Sequence, residues 1–102
     1  MLPQTPIEEF DSELNRVVTR LRSMPFDTLS AAKETFLELS AALLERSTAL
    51  GDAAPVALPV ISPRAYADVI AVLAQDVRRA AADETQLELA TWALTAARRA
   101  LP

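Results

Sequence analysis

The stretch from Asp83 to Leu101 constrains the fold more than any other, because its spacing predicts a helix with apolar residues on two sides. Leu87, Ala90, Leu94, Ala97 and Leu101 recur at threes and fours and form one face; Leu89, Trp92, Ala93, Ala96 and Ala100 form a second, most of it nearly opposite. Glu84, Glu88, Thr91, Thr95, Arg98 and Arg99 occupy a single polar strip between them. A helix wetted along only one strip is either central in its domain or shared with a partner. The only tryptophan of the chain lies on the second face.

The segments before it each show one apolar stripe. A first helix, residues 6–23, is announced by Thr5-Pro6-Ile7-Glu8: Thr5 can cap, Pro6 suits the first helical position and Glu8 completes a capping box. Ile7, Phe10, Leu14, Val17, Val18 and Leu21 then follow the helical period, while Glu9, Glu13, Arg16 and Arg20 read as a solvated outer row whose signs suit the helix dipole. A second helix, residues 27–50, begins with Asp27 as cap and is closed by Gly51. Leu29, Ala32, Phe36, Leu39, Leu43, Leu44 and Leu50 form its inner face, with Leu37 at one edge.

Lys33, Ser40 and Ser47 are seven apart and line up as a polar seam beside those leucines. Such a seam either contacts a ligand or neighbouring helix, or consists of serines bonded to their own backbone with Lys33 reaching out to water; local satisfaction favours the second. Glu34, Glu38 and Glu45 make an acidic stripe on the far side, which keeps the helix soluble or docks a basic surface.

Residues 51–62 are the only linker, and they are both proline-rich and apolar, with Val56, Leu58, Val60 and Ile61 among Pro55 and Pro59. Proline excludes a helix there, and the apolar residues exclude a free solvent loop, so an extended strap packed on the bundle is expected. At about 3.3 Å per residue a dozen residues reach roughly 40 Å, comparable to a helix of about 22 residues. The third helix can therefore start beside the start of the second and run parallel to it.

Ser62-Pro63 repeats the cap-and-proline signal and opens a third helix, residues 63–81, with the stripe Tyr66, Val69, Ile70, Leu73, Val77 and Ala80. No proline or glycine separates it from the last helix, residues 84–101. The charges do reset, since Arg78 and Arg79 suit a C-terminus and Asp83, Glu84 and Glu88 a new N-terminus. The expected fold is all-α, a single domain built as a four-helix bundle with a long proline-rich crossover between the second and third helices. The alternative is three helices, the last long and continuous, which would need a dimer to cover it.

Composition supports helices and removes several chemistries. One glycine, abundant alanine and few β-branched runs disfavour sheet. With no cysteine and no histidine, thiol nucleophiles, imidazole or thiolate metal ligands and the usual neutral-pH base are missing, so no metal site, no cofactor and no catalytic residue is assigned. The glycines of a phosphate-binding loop are missing as well. A net charge of −4 weighs against nucleic acid and anionic membrane as partners. A helix-turn-helix DNA reader would want a basic recognition helix, which the last helix is not. The longest apolar run, Val69 to Ala74, is too short to cross a bilayer. Without disulfides, and with Glu8, Glu9, Asp11 and Glu13 where a signal peptide would need a basic start, a cytoplasmic location is expected.

The function expected on these grounds is non-enzymatic: a small helical protein-interaction domain, adaptor or regulatory, forming a homodimer through Leu89, Trp92, Ala93 and Ala96. The alternative is a binding module for a lipid or other apolar small molecule held in an alanine-rich interior under the strap. Both readings turn on what lies against Trp92.

Overall fold

The computed structural model of the chain describes residues 4–49, 61–80 and 84–102. Its regular structure comprises helices α1 (Pro6–Ser23), α2 (Phe26–Ala31), α3 (Lys33–Ala49), α4 (Tyr66–Ala80) and α5 (Glu84–Ala100), with a single 3-10 turn, Pro63–Ala65, leading into α4. No strand occurs among the described residues, and the fold is all-α. Most of the strap, the closing Gly51, Leu50 and the joint at residues 81–83 lie outside the described residues.

α1 starts as its residues dictate. The Glu8 backbone N–H donates to the Thr5 hydroxyl at 3.2 Å, and that hydroxyl donates to Glu8 Oε1 at 2.9 Å, so the cap closes through two side chains. Phe10, Leu14, Val17, Val18 and Leu21 are buried, but Ile7 in the first turn is not. The buried residues meet Leu29, Phe36, Leu39 and Leu43, Tyr66, Ile70, Ala74 and Val77, and Ala90, Leu94 and Ala97 in one core. Alanines at the centre of α4 and α5 leave no bulk between helix backbones, which permits close approach.

Ion pairs set the directions of the helices. Arg78 late in α4 donates to Asp11 early in α1 at 3.1 Å, and Arg22 late in α1 donates to Asp68 early in α4 at 3.2 Å, so α1 and α4 are antiparallel. Arg98 late in α5 holds Glu13, while Arg20 further along α1 donates to the Pro102 carbonyl, so α5 runs with α1. It follows that α4 and α5 run in opposite directions. α1 and α3 each pack against both α4 and α5.

The second segment differs from its sequence reading in two ways. Its first helix begins at Phe26 with Pro25, not Asp27, in the cap position, and Ala32 then interrupts it at φ −88°, ψ 6°. The Ala32 N–H is shared between the Thr28 and Leu29 carbonyls at 3.2 and 3.0 Å, and α3 resumes with Phe36 N–H on the Ala32 carbonyl. Leu29, Ala32 and Phe36 are all buried, so packing on both sides of the bend outweighs the few kcal/mol that an unbroken helix would hold.

The third segment starts where the second does. Phe36 in the first turn of α3 stacks on Tyr66 at the start of α4, with ring centroids 3.9 Å apart and planes 12° off parallel. Beside them Arg64 lies over the Phe26 ring at 5.5 Å. Ile61, the one apolar strap residue described, packs against the core.

Candidate functional site

α5 is the helix on which the other contacts converge, and its polar strip is not wet as its spacing suggests. Thr91 is buried and returns its hydroxyl to the Leu87 carbonyl at 2.8 Å. Two turns on, Arg98 grips Glu13 of α1, with Nε to Oε2 at 2.8 Å and Nη2 to Oε1 at 3.3 Å, and Arg16 adds a third bond at 3.3 Å. Glu13 itself is buried, which corrects its reading as part of a solvated row. Burial pushes its carboxyl up, but the Arg98 guanidinium, the Thr95 hydroxyl and the Arg16 charge outweigh that and hold it below the usual carboxylate range. The row Thr91, Thr95, Arg98 therefore faces α1.

The opposite flank of α5 faces α3 across a hollow of about 210 Å³. Ala93, Ala96, Ala97 and Ala100 form one wall, and Thr35, Glu38, Leu39 and Ala42 form the other. Five of its eight lining residues are alanines, so it is shallow because the side chains are short.

With α1 on one flank and α3 on the other, the solvent side of α5 carries Glu88, Trp92, Ala96 and Arg99 at spacings of four, four and three, all exposed. Trp92 is 66% exposed, the most open of the large apolar side chains described. It stands one turn before Ala96, a wall residue of the alanine hollow. Leu89 and Ala93 are half-buried, Ala93 in the hollow wall. No protein-family model, curated protein or solved structure matches this chain. Its function has to be argued from this surface itself.

Two members of the polar seam on the second segment have described side chains. Lys33 is exposed at the start of α3, Ser40 is 1% exposed within the core, and the Ser47 side chain lies outside the described residues. Among the described residues Ser40 Oγ has no hydrogen-bond partner, so the expected return to its own backbone is not made.

Two further hollows lie near the end where α1 stops. One, of about 260 Å³, is bounded by Phe26, Leu29, Met24 and Arg64. The other, about 510 Å³ and polar, is bounded by Arg16, Arg20 and Arg98 with Asn15, Thr19 and Ser23. Its arginines are already engaged, by Glu13 and by the Pro102 carbonyl. Among the described residues no group of three or more carboxylates is placed to hold a metal ion, and no helix is long and apolar enough to cross a membrane.

Proposed function

We propose that the chain is a non-enzymatic interaction domain that self-associates through the solvent face of α5, with Trp92 as its anchor. The observation that carries this reading is an indole 66% exposed on the same helix face as Ala96, which lines an alanine-walled hollow. Large aromatic side chains dominate interface energies, and small neighbours give them somewhere to seat. A symmetric dimer also needs only one such patch. The absence of cysteine fits a reducing, cytoplasmic setting for that role.

Magnitude sets the conditions of the test. Covering on the order of 150 Å² of indole favours association by about 4 kcal/mol per copy. Two such indoles give roughly 8 kcal/mol before orientational costs of about 4 kcal/mol or more, which the contacts around the indoles have to offset for a dimer to form between the micromolar and millimolar range. Light scattering from about 1 µM to 1 mM therefore spans the transition. The mass should rise with concentration from the 11.0 kDa of one chain towards twice that value, and Trp92→Glu should remain folded and stay at one chain throughout. A wild-type chain that scatters as a monomer across that range would rule the reading out.

A further inference from the structure

We infer that the occupant of this face is a second copy of the chain whose α5 lies antiparallel, so that Trp92 of each copy seats on Ala96 of the other and Glu88 of each pairs with Arg99 of the other. The inference rests on the self-association proposed above and adds its geometry.

The exposed stripe of α5 reads acidic, aromatic, small, basic along the chain: Glu88, Trp92, Ala96, Arg99. Turned end for end, the same stripe offers basic opposite acidic and small opposite aromatic. In an antiparallel pair centred on residue 94, Trp92 faces Ala96, and Glu88 faces a point one residue, about 1.5 Å along the axis, from Arg99. A two-fold interface must be complementary to itself, and this stripe is so in only one direction. A parallel pair would set Glu88 on Glu88, Arg99 on Arg99 and indole on indole, which places like charges together at both ends. The hollow beside Ala96 gives the incoming indole room that a bulkier wall would deny.

The state of the charges points the same way. Arg16 and Arg98 are held by Glu13, Arg22 by Asp68, Arg46 by Glu45, Arg78 by Asp11 and Arg79 by Asp76. Arg20 donates to the Pro102 carbonyl and Arg64 covers the Phe26 ring. Arg99 alone among the nine arginines has no such partner among the described residues, and neither has Glu88. Glu9, Asp27, Lys33, Glu34, Glu38 and Glu84 are likewise without an ion pair among the described residues, but of these charges Glu88 and Arg99 are the two that bracket the exposed tryptophan on α5.

Charge reversal tests the pairing. Glu88→Arg and Arg99→Glu each replace two attractions by two repulsions in the antiparallel dimer, and should each weaken it roughly tenfold in low salt. The double variant Glu88→Arg/Arg99→Glu should restore wild-type affinity to within about twofold. Both side chains are exposed, so the helical circular dichroism should not change. Because the chain has no cysteine, Glu88→Cys and Arg99→Cys chains give an independent reading: mild oxidation should link a mixture of the two and neither alone, since along the axis the two copies of position 88 lie about 18 Å apart and those of position 99 about 15 Å apart in this arrangement. Single reversals that leave the dimer intact while Trp92→Glu dissociates it would overturn the antiparallel pairing and keep the Trp92 face. A dimer indifferent to Trp92→Glu as well, or a wild type that never dimerises, would overturn both.

Discussion

Arg98 of α5 holds Glu13 of α1 with two guanidinium nitrogens, at 2.8 and 3.3 Å, across 85 positions of sequence. This contact fixes the register of two parallel helices that the rest of the core only presses together. It also turns α5 so that Thr91 points inward and Trp92 outward.

Removing either partner should therefore cost more than a surface pair. Glu13→Gln and Arg98→Ala should each lower the unfolding free energy by about 2 kcal/mol, as for hydrogen bonds to a charged group that is then left short of its partner. Urea denaturation of the singles and the double should give a coupling of about 1 kcal/mol or more. Additive losses would show that the pair does not act as a unit.

The same contact makes stability depend on pH. The Glu13 carboxyl is held below its ordinary value of 4.5, so the folded chain binds that proton less readily than the unfolded one. Its contribution is fully present above the unfolded value and is lost as pH falls through the folded one. Urea midpoints should fall from about pH 5 downward, and Glu13→Gln should flatten part of that slope. Identical acid profiles for the two chains would contradict the assignment.

Ser40 gives a prediction of opposite sign. Its hydroxyl is buried in the core without a hydrogen bond among the described residues, so Ser40→Ala removes a desolvated group that no described contact offsets. The variant should be more stable by about 1 kcal/mol in urea denaturation. A loss of similar size would mean that the hydroxyl is bonded after all.

Much of the fold is legible in sequence because it is local. Thr5 and Glu8 cap α1 within one turn, and Phe10, Leu14, Val17 and Leu21 are buried as their period requires. The start of α4 lies beside the start of α3, a placement that the number of residues between the second and third segments allows. What sequence hides depends on distant partners. Glu13 lies next to the apolar stripe of α1, one turn before Val17, but its burial is decided by an arginine at the other end of the chain. The row Thr91, Thr95, Arg98 looked wet for the same reason. The bend at Ala32 has no residue signal either: Ser30, Ala31 and Ala32 continue a helix as readily as they end one, and tertiary packing chooses.

For the proposed interaction surface, spacing sets Leu89, Trp92, Ala93 and Ala96 on one side of the last helix, and the structure sets Ala93 and Ala96 in the wall of a hollow with Trp92 exposed one turn before Ala96. Glu88 and Arg99 were hidden among six polar residues of one strip. Only the engagement of Thr91 and Arg98 with the interior separates them from the rest.

The most direct test of what covers Trp92 is its own emission, which no other tryptophan obscures. Fluorescence recorded over a dilution series from about 1 mM to 1 µM should move from blue-shifted to water-like emission in step with the fall in mass. Emission that is water-like and unchanged at every concentration would contradict the account, because the indole would then have no partner in a second copy of the chain.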